Sequence, residues 1–353
     1  MSKADNYIFL PKFSLEPNKC TSYNEVYDKR KYNTDGTRKK FTRRLNSLMA
    51  SPLATKNELT RSSHNFTLSD NAYRTLKRKI NWLYYLSKAK YVKSYSGKEI
   101  FNFKIGFVTL TLSSKQKHPT KEVTSLLFNQ FLTEIRQRTE MENYVWRLEF
   151  QKNGNVHYHL VTDTYLDYFF VQKIWNRIQK SHGYIDDYTA KHSTMSLSDY
   201  YNAYGDGSRV DFPKLAKRYA RGCQDKWQNP PSVDVKSVIS NKAISNYIAK
   251  YFGKDAKNEV ICNEFDTPEN SENMRLWFCS RSLSKLETFT DYCDAVEYNV
   301  FSIVETCKEV RKFVNKYATM YYFEIKQLPS WSRGEIEKLL RTYAFNLNYK
   351  PSL

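Results

Sequence analysis

The stretch "NYVWRLEFQKNGNVHYHLVTD", Asn143–Asp163, decides how the rest of the chain is read. Two strand-like runs flank Lys152-Asn153-Gly154, and Asn-Gly supplies the positive φ that tight hairpin turns require. Side chains alternate along a strand, so His157 and His159 leave one face about 7 Å apart while Tyr158 leaves the other. Two imidazoles so placed can converge on one ion. Their third partner depends on the turn. A three-residue loop with Gly154 left-handed sets Glu149 opposite His157, whereas a two-residue Asn-Gly turn slips the register by one and turns Glu149 away. Gln151 shares the parity of Glu149 and is the reserve third ligand. Mixed oxygen and nitrogen donors suit Mg²⁺ or Mn²⁺, and zinc also binds such histidines tightly.

Working outward, "FKIGFVTLTL", Phe103–Leu112, is β-branched and apolar enough for a buried strand, and "TKEVTSLLFNQFLTEIRQRT" after Pro119 lines Val123, Leu126, Leu127, Phe131, Leu132 and Ile135 on one helical face. A second helix, "DYFFVQKIWNRIQKSHG", stops at Gly183. Residues 184–231 read as a long insertion. The strand "SVDVKSVI" and the helix "KAISNYIAKYFGK" complete the order β, α, β, β, α, β, α. The hairpin in its middle suits an α+β fold, an antiparallel sheet with helices packed on one face, and fits a doubly wound parallel sheet poorly.

At the N-terminal side, residues 1 to about 65 read as a basic arm, and Leu68–Val92 as an amphipathic helix with Arg74, Lys77, Arg78 and Lys79 on its polar face. Beyond the core, "MRLWFCSRSL" reads as a strand or edge segment, "LSKLETFTDYCDAVEYNVFSIVETC" as helical and "YATMYYFEIKQL" as a strand. "SRGEIEKLLRTYAFNL" reads as a helix with Ser332 as N-cap and Glu335 closing a capping box. The expected division is residues 1–100 as basic arm and helix, 101–255 as the core with its insertion, and 256–353 as a C-terminal α/β extension.

Lysine and arginine total 56 against 37 acidic residues, a formal charge of +19, and self-repulsion of that size points to a polyanionic partner. Aromatics make up 16% of the chain, 28 of them tyrosine. Basic surface interleaved with rings grips single strands, although an A·T-rich coding bias gives the same tyrosine excess. The six cysteines form no C-x-x-C pair, which fits reduced thiols. No membrane-length apolar run, signal-peptide core or G-x-x-x-x-G-K-[ST] segment is present, so a soluble, cytoplasmic protein without an attached P-loop helicase is expected.

A second constellation lies in "NYIAKYFGK". Tyr247 and Tyr251 are four residues apart and neighbours on a helix face, with Lys250 beside them and Lys254 one turn beyond. Taken together, "FVTLTL", "GNVHYHL" and "NYIAKYFGK" resemble the three motifs of HUH endonucleases, the rolling-circle replication initiators of single-stranded DNA phages, plasmids and related viruses. The Y-x-x-K-Y-x-x-K form is similar to the two-tyrosine initiators, notably the A protein of small icosahedral DNA phages.

The resemblance covers about residues 103–254. It implies a five-stranded antiparallel sheet related to the RNA-recognition fold, a divalent ion, Mg²⁺ or Mn²⁺, on His157, His159 and Glu149, and Tyr247 and Tyr251 as nucleophiles assisted by Lys250 and Lys254. Implied with these are single-stranded DNA nicking and joining at a replication origin through a 5′-phosphotyrosine, in the cytoplasm of a host cell, bacterial if the phage likeness holds, with a separate helicase and DNA polymerase. The rivals are a relaxase or single-strand transposase built from the same parts, and a non-catalytic single-strand binder. The long 184–231 segment and the first hundred residues depart from the minimal domain and leave origin recognition unplaced.

Overall fold

The computed structural model describes residues 7–28, 66–93, 100–205, 211–238, 264–266, 274–292, 304, 307–308, 310–316 and 318–350. The chain divides into two compact units, 1–63 with 284–350, and 64–283 with 351–353, in place of three consecutive segments.

The chain opens on a hairpin, β1 (Tyr7–Glu16) and β2 (Lys19–Asp28), turned at Pro17-Asn18. A strand pair thus occupies this part of the expected basic arm; the cationic run from 29 to 65 lies outside the described residues. Phe13, Leu15 and Cys20 are fully buried, and the charged and hydroxyl residues between them mask this inward set in the sequence.

The second unit begins with α1 (Asp70–Leu86), capped by Ser69, whose Oγ accepts from the Ala72 N–H at 3.2 Å. Leu76, Ile80, Trp82 and Leu83 are buried along it. So is Lys79, at 2% exposure, which corrects its expected place on the polar face. A ribbon of β3 (Lys90–Lys93) and β4 (Ile100–Phe103) precedes β5 (Ile105–Thr111). The next helix, α2, runs through Thr120–Glu122, a π-helical stretch Val123–Phe128 and Asn129–Arg138. Then come β6 (Tyr144–Phe150), β7 (Val156–Thr162) and α3 (Tyr168–Ser181), started by Asp167, whose carboxylate accepts from the Phe169 and Phe170 N–H groups.

The insertion is helical: α4 (Tyr184–Ser193), α5 (Leu197–Tyr204) and α6 (Phe212–Gln224), with Tyr200, Leu215 and Trp227 as a small core of its own. It returns to β8 (Val233–Val238), and β9 (Trp277–Cys279) leads into α7 (Arg281–Ser284). These strands make one antiparallel sheet in the order β8-β5-β7-β6-β9. The fold is therefore α+β around a five-stranded antiparallel sheet, with β7 at its centre. One face is closed by α2 and α3 over Val108, Leu110, Leu148, Val156, Tyr158 and Leu160. Tyr158 stacks on Phe128 with centroids 4.1 Å apart, and Phe128 meets Trp146 edge-on at 5.1 Å.

The remaining strands, β10 (Phe289–Tyr292), β11 (Arg311–Val314) and β12 (Ala318–Tyr322), join the first hairpin in a second five-stranded sheet, β10-β1-β2-β12-β11. The terminal additions are thus not simply helical. Phe289–Tyr292 is a strand where a helix was expected, because Phe289 pairs with Leu15 and packs edge-on against Phe13 at 5.7 Å. The final helix, α8 (Ser330–Asn346), starts after Pro329, two residues before the expected cap. Ser332 sits inside its first turn, and its Oγ donates to the Pro329 carbonyl at 2.9 Å instead of capping.

Candidate metal centre

The turn of the central hairpin sets the site. Gly154 has φ +80°, its N–H donates to the Gln151 carbonyl at 2.9 Å, and the Gln151 N–H donates to the Asn155 carbonyl at 2.8 Å. This is a three-residue loop of Lys152, Asn153 and Gly154 closed by a left-handed glycine. Glu149 consequently pairs with His157, and Arg147 with His159. Gln151 becomes the first residue of the turn.

A polar brace holds this register. The Asn155 carboxamide accepts from the Gln116 N–H at 2.9 Å and donates to the Ser114 carbonyl at 2.8 Å, while Gln116 Oε1 accepts from the Val156 N–H at 2.9 Å. On the far side, Trp175 Nε1 donates to the Thr111 carbonyl at 2.9 Å and ties α3 to the strand end facing His157. Asp266 caps α2 from a distance, accepting from the Thr120 N–H at 2.8 Å and from its hydroxyl at 2.6 Å.

One ligand atom each from Glu149, His157 and His159 lies within 4.8 Å of the others. Glu149 Oε2 is 2.9 Å from His159 Nε2 and 3.5 Å from His157 Nε2. Burial raises the Glu149 carboxyl, but the two imidazoles outweigh it and hold the group far below the usual carboxylate range. Burial lowers His159 to about 4 against the pull of that carboxylate. His159 therefore keeps a lone pair for coordination well into acid. His157 Nε2 is buried with no hydrogen bond, an orphaned nitrogen facing the carboxylate. Two imidazole nitrogens and one carboxylate oxygen form a donor set that fits a divalent cation, and the unmatched nitrogen gives the third side of the cluster a purpose.

Two further residues shape the cluster. Thr109 Oγ1 is 3.1 Å from His159 Nδ1, the ring nitrogen turned away from Glu149, and so fixes the ring's orientation. Arg147 is 1% exposed beside His159 and adds to the lowering of its pKa. Neither was singled out from sequence. Their signal was strand parity, which becomes readable only once β5 and β6 are known to flank β7 in the register Thr109, His159, Arg147. Tyr247, Lys250, Tyr251 and Lys254 lie outside the described residues.

Residues 105–256 match the model of a family of replication-associated proteins, the ORF2 type. The matched span holds the three clustered side chains and the Tyr247–Lys254 stretch, and it supports a Rep-type initiator role in replication. No curated protein and no solved structure matches the chain. Among the described residues, no helix is long and apolar enough to cross a membrane.

Proposed function

We propose that the chain is a metal-dependent tyrosine endonuclease that nicks and rejoins single-stranded DNA to initiate rolling-circle replication. The observation that carries this is the convergence of Glu149, His157 and His159 inside the segment that matches a replication-associated family. The antiparallel sheet with its histidine strand at the centre is taken as the RNA-recognition-like palm of an HUH enzyme. His157 and His159 would hold Mg²⁺ or Mn²⁺ through Nε2 and Glu149 through a carboxylate oxygen. A cation there withdraws charge from the scissile phosphate and stabilises its crowded transition state.

The chain's own groups do the rest. Thr109 holds the His159 ring, and buried Arg147 adds positive charge beside it. In the proposed reaction the Tyr247 or Tyr251 oxygen attacks phosphorus, the bond from phosphorus to the 3′ oxygen breaks, and the phenol proton is lost as the 3′ oxygen gains one. The products are a 5′-phosphotyrosine and a 3′ hydroxyl that can prime synthesis. Phenol titrates near 10, so the ammonium groups of Lys250 and Lys254 serve by favouring phenolate or neutralising the phosphate. Two tyrosines permit a second cleavage while the first product is still attached, followed by transfer and closure. The site of action is the origin strand in a host cytoplasm, with helicase and polymerase supplied separately.

The test is to incubate the full chain with end-labelled single-stranded oligonucleotides, with and without Mn²⁺ or Mg²⁺, and extract with phenol. The expected result is DNA drawn into the phenol phase with the protein only when the ion is present, and lost in Tyr247→Phe/Tyr251→Phe. Ion-independent binding with no covalent adduct would overturn the reading. Full nicking and joining by each single phenylalanine variant would overturn the two-nucleophile scheme.

A further inference from the structure

The insertion carries a surface that the metal centre does not use. Along α6, Lys214, Lys217, Arg218 and Arg221 are exposed at helical spacings of three, four and seven. The opposite side of the helix is buried: Leu215 and Gly222 face the small aromatic core, and a Cβ on Gly222 would stand 2.3 Å from the Trp227 ring. The stripe is thus held outward by close packing behind it.

Lys214 pairs with Asp211 at 2.9 Å, but Lys217, Arg218 and Arg221 make no ion pair or hydrogen bond among the described residues. Like charges three and four residues apart weaken a helix, so four cations in this pattern are a local cost. On α8, by contrast, Arg333, Glu335, Glu337, Lys338 and Arg341 mix both signs, as solvated faces usually do. A polyanion offsets the cost on α6.

The stripe is also fixed beside the site's sheet. Pro230, at the exit of the insertion, accepts from Gln172 at 2.9 Å and Asn176 at 3.2 Å on α3, just before β8. Arg221, Arg218 and the β8 residue Asp234 all act on the Tyr168 phenol. Asp234 in turn pairs with Thr109, which holds His159.

We propose that α6 is a phosphate-contacting surface for double-stranded DNA next to the cleavage site, an inference that rests on the nuclease reading above. A duplex fits better than a single strand because the rings on α6 are engaged in packing and do not stand free in the stripe to stack on bases. Tyr219 packs against Trp227, and Phe212 packs edge-on against Tyr201.

Salt titrations of binding by the full chain test this, comparing an oligonucleotide duplex with a single strand of the same length by fluorescence anisotropy. Each neutralised duplex phosphate contributes about 0.9 to the slope of log K against log salt, so Lys217→Gln/Arg218→Gln/Arg221→Gln is expected to reduce the duplex slope by about 2.7 and leave the single-strand slope in place. A charge-keeping set, Lys217→Arg/Arg218→Lys/Arg221→Lys, is expected to retain the wild-type slope, which separates lost charge from lost folding. An unchanged duplex slope, no duplex binding by the parent chain, or a loss confined to the single strand would overturn the proposal. Failure of the nuclease reading looks different: no covalent adduct from the parent chain, with the duplex slope still responding to α6.

Discussion

The two faces of β7 are built from alternate residues of one strand and obey opposite rules. Val156, Tyr158 and Leu160 point into a close-packed core where Phe128 stacks on Tyr158 and the Tyr158 phenol is satisfied by Thr124 at 2.8 Å. His157 and His159 point the other way, where a carboxylate sits among imidazoles and one ring nitrogen has no hydrogen bond. The first face maximises satisfied contacts and the second withholds one. A one-residue period thus separates stability from chemistry, and substitutions on the two faces should leave different fingerprints.

The largest effect is expected on the polar face. A bound cation supplies several kcal/mol to a phosphoryl transition state, and about 1.4 kcal/mol is tenfold in rate. His157→Ala should therefore slow metal-dependent nicking by roughly 10²-fold or more and weaken Mn²⁺ binding in calorimetry, with little change in the metal-free melting temperature. Wild-type Mn²⁺ affinity and nicking in that variant would remove the distinction between the faces.

On the packed face the order reverses. Tyr158→Ala deletes a fully buried ring and should cost about 3–5 kcal/mol in urea unfolding, taking every activity with it. Tyr158→Phe loses only the bond to Thr124 and should cost about 1 kcal/mol while nicking persists.

The hairpin joins the faces, and it was also the most legible part of the molecule. Lys152-Asn153-Gly154 allowed two registers, and the three-residue one placed Glu149 with the histidines. Local signals sufficed because the strands are adjacent in sequence. Thr109 and Arg147 escaped notice because their places depend on which strands flank β7, a non-local fact. The second sheet escaped for the same reason: Leu15 meets Phe289 across more than half the chain, and the residues between its inward side chains read as polar. Gly154→Ala tests the legible part. An alanine forced to φ +80° costs about 1–2 kcal/mol, and a slip toward the two-residue turn would carry Glu149 off the histidine face. Lowered thermal stability together with weakened Mn²⁺ binding is expected; a loss of stability alone would mean that the brace at Asn155 and Gln116, not the glycine, sets the register.

The smallest effect sharpens the contrast between histidines. His192, in the insertion, is nearly as buried as His159 yet has both nitrogens occupied: Nδ1 donates to the Tyr188 carbonyl at 2.7 Å, and Nε2 accepts from the Tyr204 hydroxyl at 2.7 Å. Burial lowers its pKa below the ordinary 6.5, partly opposed by the Tyr188 carbonyl. A histidine kept neutral in the fold binds more protons when unfolded. Its contribution is therefore complete above about pH 6.5 and declines as pH falls below that value. Amide exchange across α4 to α6 should quicken between about pH 7 and 5.5, and His192→Gln, which keeps a donor and an acceptor but cannot charge, should flatten that dependence. If the variant exchanges with the same acid sensitivity, His192 is not the titrating group, and the insertion owes its pH response to the neighbouring tyrosine core or to the sheet that anchors it.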